Sequence, residues 1–253
     1  MILRAIIGAQ AKGPVETLYQ ETSSLSISYV ISSRRMIYLK TILDKSNEEV
    51  VKKVYLAMKE NPIKNDWYHL LKSDFEKINI VLNEEQILQT DVLTYKKNIK
   101  TFVWNAFSNE LKEKQAKHIK VKHIDYGHRR TPQKYLLSPN FNNEMVSLLY
   151  NLRCQSVNEF RDNFHTMHGQ APLCKHCDLH IDSQELSLSC GKVRENMTTT
   201  ELLELNSVKY EDIFGNEEQQ LKITKVFQWI LRVRKALSVP AAGLPGLHNS
   251  GPD

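Results

Sequence analysis

The chain contains no run of about 18 or more apolar residues, so no membrane-spanning helix is expected. Cysteine is scarce, four in 253 residues, and three of the four are clustered. That is not the framework of a disulfide-stapled secreted domain, and it points to a reducing location, nuclear or cytoplasmic. No G-x-S-x-G elbow is present, which removes the commonest hydrolase nucleophile. No Gly-rich phosphate loop is present either. The opening Met1-Ile2-Leu3-Arg4-Ala5-Ile6-Ile7-Gly8 is apolar but too short for a signal peptide and lacks its basic-then-apolar order. No internal repeat occurs.

What is there reads as a globular protein of one large or two small domains. The hydrophobic fraction is 41% and the charged fraction 25%. The net charge of +5 is modest, but it is unevenly placed. Between residues 112 and 134 stand eight basic side chains, Lys112, Lys114, Lys117, Lys120, Lys122, Arg129, Arg130 and Lys134, against two acids, Glu113 and Asp125. Such a run can neutralise phosphates and release their counterions. It is equally the composition of a solvated helix face followed by a polar linker.

The periodicity is overwhelmingly helical, and the expected fold is mainly α. The spacing of Ile27, Val30, Ile31, Ile37, Tyr38 and Ile42 predicts a helix over 27–43 with those residues as its stripe. Asn47 is the expected cap of a second helix through Met58, which Asn61-Pro62 ends. Residues 66–78 predict a further helix, and Asn83-Glu84-Glu85 opens another short one. A long one follows over about 91–117, burying Leu93, Ile99, Phe102, Val103, Ala106, Phe107 and Leu111. Trp104 on the same helix is expected in the core, with stacking on a base as its alternative. The pattern then fails around Gly127, Pro132 and Pro139, with Val121–Tyr126 extended. Helices resume over 143–152, with a second piece to about His168. Short helices are expected at 200–206 and 210–214, and a strong amphipathic one at 217–237. The resulting division is a bundle-like block 1–117, a basic linker 118–140, a helical block 141–238, and a Pro/Gly-rich disordered tail 239–253.

The chemistry-bearing motif is Cys174-x2-Cys177-x12-Cys190. A close cysteine pair followed by a distant partner is how one chain supplies a tetrahedral zinc site. Four donors are needed, and no His or Cys stands within four residues before Cys190. The candidate fourth donors are His165, His168, His176 and His180. His180, three residues after Cys177, is the best placed, whereas His176, lying between the paired cysteines, should point away. Cys154 sits within a helical pattern and is expected as a small core residue.

Around these cysteines run Leu148-Leu149-Tyr150-Asn151-Leu152-Arg153, Asn158-Glu159-Phe160-Arg161, Leu173-Cys174-Lys175-His176-Cys177 and Asp182-Ser183-Gln184-Glu185-Leu186. Upstream stand Ile6-Ile7-Gly8-Ala9, Ser32-Ser33-Arg34-Arg35 and Asn61-Pro62-Ile63-Lys64-Asn65-Asp66-Trp67, and downstream Tyr210-Glu211-Asp212-Ile213-Phe214-Gly215. In this order the segments resemble the C-terminal, post-polymerase region of reverse transcriptase polyproteins from non-LTR (LINE-type) retrotransposons, over roughly residues 1–237. The resemblance implies RNA and DNA as partners, held during target-primed reverse transcription. It also implies an upstream polymerase domain as a partner, with residues 1–117 as its thumb or connector. Arg34 and Arg35, with the 112–134 cluster, would touch phosphate. So would Arg153 and Arg161.

The chain departs from that pattern at the metal site: the family's third ligand, a histidine, falls on Leu186. The resemblance therefore implies a degenerate zinc knuckle over 174–190. No Asp-Asp dipeptide is present, so the two-metal polymerase chemistry is not expected in this chain. The alternatives are a helical protein-interaction module that offers the 217–237 helix as its partner surface, or the inactive product of a decayed element.

Overall fold

In a computed structural model of the chain, residues 2–9, 13–117, 121, 130–160 and 172–238 are described. The architecture is mainly helical. The elements are α1 (Ile2–Ile7), α2 (Val15–Thr22), α3 (Ile27–Leu43), α4 (Val50–Glu60), α5 (Trp67–Lys77), α6 (Glu84–Gln89), α7 (Val92–Ala116), α8 (Asn143–Arg153), α9 (Gln184–Ser187), α10 (Gly191–Glu195), α11 (Thr199–Asn206) and α12 (Glu217–Ser238). Short 3-10 turns lie at Lys134–Leu136 and Tyr210–Phe214. The chain forms two compact units, one of residues 14–133 and one of residues 1–13 with 134–253. The division expected at 117 is thus displaced to 133/134, and the first residues belong with the second half of the chain. Residues 118–120 and 122–129 of the expected linker, which take in most of the stretch to Tyr126, residues 161–168 of the expected second helix and the 239–253 tail lie outside the described residues, whereas 154–160 are turn and irregular chain rather than helix.

The 14–133 unit is built on α3, which packs along α7 and also meets α4, α5 and α6. Its buried face is Tyr29, Ser32, Ser33, Met36, Leu39, Lys40 and Leu43, a stripe at helical spacing. That corrects part of the expected stripe: Ile27 is 72% exposed and Ile31 and Tyr38 also face solvent, while Ile42 is buried as expected and Val30 and Ile37 are half-buried. The inward serine pair disguises the true face, because Ser32 donates to the buried Asp74 carboxylate at 2.6 Å. The α7 side of this core is Tyr95, Ile99, Val103, Phe107 and Leu111 at successive helical turns. Leu93 and Phe102, expected inside, are exposed. Helix starts follow cap chemistry: Asn83 accepts from the Gln86 N–H, Asp91 from Leu93 and Thr94, and Asp66 from His69. Asn47 caps nothing; α4 begins later, after Glu49, without a side-chain cap.

In the other unit α12 is the central element. It contacts α8, α10, α11 and both 3-10 turns. Its apolar face, Ile223, Val226, Phe227, Ile230 and Val233, is buried among Leu149, Leu152, Phe160, Leu205 and Ile213. Each such large side chain removed from water stabilises by about 1.5–3 kcal/mol. The face expected to serve a partner is therefore consumed by the chain's own core. Cys154 is fully buried there, as its helical pattern implies. The N-terminal α1 packs on α8, pinned where the Gly8 carbonyl accepts from Ser147 Oγ at 2.8 Å and from the Asn151 amide. Gly8 has φ +67°, and a Cβ there would sit 2.7 Å from Ser147 Oγ, so glycine is required twice over.

Candidate functional site

The cysteine segment folds as a tight hairpin. Leu173 and Ile181 form an isolated antiparallel bridge. The Cys174 N–H donates to the His180 carbonyl at 2.7 Å, and the Asp182 N–H to the Pro172 carbonyl at 2.9 Å. Asp178, at φ +53°, turns the chain between them. Ser183 then caps the short α9, and Cys190 stands at the start of α10. Two local structures, a hairpin and a helical hook, thus face their cysteines toward one another.

The three sulfurs of Cys174, Cys177 and Cys190 all lie within 4.8 Å of one another. Cys174 Sγ and Cys190 Sγ are 3.9 Å apart, a separation at which no disulfide bond exists, since that bond is about 2.05 Å long. Cys174 and Cys190 are buried, and Cys177 is partly open to solvent. A cluster of this size and composition can hold a metal ion. Among the described residues no His, Asp or Glu joins the three sulfurs within that distance. His180 supplies its carbonyl to the hairpin instead of its ring to the cluster. His176 is half-buried, with an Nε2 that makes no hydrogen bond. His165 and His168 lie outside the described residues. Leu186 is partly exposed on α9.

The electrostatics of the sulfurs are unequal. Burial pushes the Cys190 thiol up to about 11, reinforced by the Cys174 and Cys177 sulfurs beside it. Burial also opposes ionisation of Cys177. There the backbone N–H groups of Leu179 and His180, with the Cys190 and Cys174 thiols, outweigh it and hold the thiol below its ordinary value. The Cys177 thiolate is thus favoured and the Cys190 thiolate disfavoured, and a bound cation would favour the ionised form of the sulfurs it holds.

Beneath the hairpin lies a group that sequence reading missed. Arg234 on α12 is 2% exposed. Its Nη1 points at Cys174 Sγ at 3.8 Å, and its Nη2 donates to Asp182 Oδ1 at 2.6 Å and to the Glu159 carbonyl at 3.0 Å. The guanidinium also lies 4.6 Å from the Phe160 ring centroid.

The expected basic residues are scattered by the fold. Arg34 and Arg35 diverge: Arg35 turns inward to pair with Asp74, whereas Arg34 is exposed. Lys114 pairs with Glu110 one helical turn back. Lys112, Lys117 and Lys134 are exposed, Lys134 in the other unit from the rest. Lys120, Lys122, Arg129 and Arg161 lie outside the described residues. Arg153 is 2% exposed, donates to the Ile213 carbonyl at 2.7 Å and stacks between Tyr135 and Phe214, so it cannot reach a phosphate.

What the 14–133 unit does bring together is a groove between α3 and α7. Arg34, Lys100 and Arg130 line it with Trp104, over a floor of Leu25, Val30 and Ile37, enclosing about 520 Å³. Lys100 and Trp104 are four apart on α7 and so share a face. Trp104, expected in the core, is only partly buried. Arg130 donates to Thr101 Oγ1 at 3.3 Å, which holds it at the rim. Among the described residues no carboxylate pairs with Arg34, Lys100 or Arg130. Lys100 was not singled out from the sequence, because it lies outside the basic run.

No protein-family model matches the chain, and neither a curated protein nor a solved structure matches it. No helix among the described residues is long and apolar enough to cross a membrane.

Proposed function

We propose that the chain is a non-catalytic nucleic-acid-binding module, the post-polymerase part of a non-LTR retrotransposon reverse transcriptase lineage, acting in the nucleus or cytoplasm beside a polymerase domain. The observation that carries the binding reading is the groove of Arg34, Lys100 and Arg130 around Trp104. Unpaired cations along a partly apolar trough, with an indole at its wall, suit single-stranded RNA or DNA. The phosphates meet the cations, and an unstacked base meets the indole.

The cysteine cluster takes a structural role in this reading, and zinc is its metal. A tetrahedral site with Zn–S bonds of about 2.3 Å has sulfur–sulfur edges of about 3.8 Å. The Cys174–Cys190 separation of 3.9 Å fits that edge. The histidine that the resemblance asks for at position 186 is a leucine, so the zinc has three protein ligands among the described residues.

Fluorescence anisotropy of the full chain on a mixed-sequence single-stranded RNA, from low to moderate salt, tests the binding reading. Three phosphate contacts give a log–log salt slope of about −2 from this groove. The variant carrying R34E, K100E and R130E should bind roughly 10–100-fold more weakly with a flatter slope, by the loss of those contacts. W104A should cost about 1–3 kcal/mol of binding through lost stacking. Unchanged affinity and slope in the triple variant would refute the groove. Metal analysis of gently purified protein tests the other half: zinc near one per chain supports the site, and none rejects it.

A further inference from the structure

Three thiolates around one divalent cation carry a net charge of −1. Two of the three sulfurs here, those of Cys174 and Cys190, are buried, where an uncompensated charge is costly. Backbone N–H groups reach Cys177, but Cys174 uses its own N–H to close the hairpin. Arg234 directs its Nη1 at Cys174 Sγ, at 3.8 Å.

Arg234 is held in place from several sides. Asp182 Oδ1 and the Glu159 carbonyl both accept from Nη2, and the Phe160 ring supports the guanidinium plane. These contacts leave Nη1 facing the sulfur. The Arg234 and Asp182 side chains are 3% and 0% exposed, so solvent screens neither charge. Asp182 is also the residue that closes the cysteine hairpin through its N–H. One guanidinium therefore contacts a candidate ligand, the base of the ligand hairpin and the segment at Glu159 at once.

We propose that Arg234 is the positioning residue of the metal centre: paired with Asp182, it donates Nη1 to the Cys174 sulfur and fastens the cysteine hairpin to α12, so that metal loading and hairpin docking are coupled. This rests on reading Cys174, Cys177 and Cys190 as metal ligands. Outer-shell partners of this kind typically set metal affinity by 10–100-fold.

Cobalt(II), a spectroscopic substitute for zinc, tests it on the full chain. The wild-type protein should show an intense sulfur-to-cobalt charge-transfer band. R234M should bind cobalt about 10–100-fold more weakly. Its band should move to lower energy, because the Cys174 sulfur has lost a donor. R234K keeps the charge without the fork and should recover part of the affinity but not the band position. The affinity loss should persist in 0.5 M salt, since the pair is buried. Equal affinity and an unmoved band in R234K and R234M would overturn the role of Arg234 alone. If R234M fails to fold, R234K decides the matter by the same two readouts. Absence of any charge-transfer band in the wild-type chain would overturn the ligand reading and this proposal with it.

Discussion

Arg34 and Arg130 in one unit and Arg153 and Arg234 in the other are used in opposite ways. In the 14–133 unit Arg34 and Arg130 stand at the rim of an open groove, solvated and without a carboxylate among the described residues. In the other unit Arg234 and Arg153 are each 2% exposed and held by the protein's own groups, one beneath the cysteine hairpin and one between two aromatic rings. A rim cation contributes almost nothing to folding and remains available to a ligand. A buried cation is committed to the fold, and removing its partner exposes the desolvation cost of what is left. Arg34 and Arg130 thus leave their charge accessible, whereas Arg153 and Arg234 commit theirs to the fold.

The strongest way to break this contrast is at Asp182. D182A leaves the Arg234 guanidinium buried without its counter-charge. We expect a loss of about 3–5 kcal/mol from the unit that contains the cysteines, read as a fall in the urea midpoint. A loss below about 1 kcal/mol, the range of exposed pairs, would show that Arg234 is solvated and the contrast false. Next comes Arg35. Its pair with Asp74 is partly buried, and R35A leaves that carboxylate with the Ser32 hydroxyl but without its counter-charge. An unsatisfied buried acceptor costs about 1–3 kcal/mol.

These two residues also show what the sequence could and could not disclose. Helices α7 and α12 are legible because each combines a long apolar period with good terminal residues, Asp91 at one start and Glu217-Glu218 at the other. The face of α3 is not legible, since apolar side chains surround it and the inward positions include Ser32 and Ser33. Three cysteines able to hold a metal announce themselves by spacing, and the structure brings all three together. Arg234 does not, because its partners Asp182 and Cys174 lie 52 and 60 residues away and no local pattern links them. Nor does a dibasic pair reveal which member faces water: Arg34 and Arg35 differ by one helical step of about 100°, enough to put one in the groove and the other inside.

A smaller effect is expected at α11. Thr198 accepts from the Glu201 N–H while the Glu201 carboxylate accepts from the Thr198 N–H, a reciprocal capping box. T198A should cost about 1 kcal/mol in thermal or urea unfolding. The same unfolding measured in the 14–133 unit should depend on pH through Glu84 and Glu110. Burial pushes both carboxyls up. Donation from Tyr55 and Lys59 to Glu84, and from Lys114 and Tyr29 to Glu110, outweighs it, and both lie below the ordinary carboxylate value. A depressed folded value contributes stability that is present above the unfolded value of about 4.3 and is lost as pH falls through the folded one. Acid should therefore weaken this unit below about pH 4, and a variant with Y29F and Y55F should lose less on acidification than the wild type. Equal acid sensitivity would show that those hydroxyls do not hold the carboxylates ionised.

The smallest expected change in stability, and the sharpest test of the contrast, is at Arg34. It is exposed, and no carboxylate pairs with it among the described residues. R34A should leave the urea midpoint within about 0.5 kcal/mol of wild type. The same substitution removes one phosphate contact from the groove, which should lower RNA affinity several-fold and reduce the salt slope by about 0.7. Arg35, the next residue, should show the reverse: a clear loss of stability with the salt slope intact. If both variants lost stability and binding together, the groove would be a folding feature like the Arg234 site. If neither changed RNA affinity, the open cations of the 14–133 unit would be ordinary surface charge. Only opposite outcomes at two adjacent arginines separate a cation kept for a ligand from one committed to the fold.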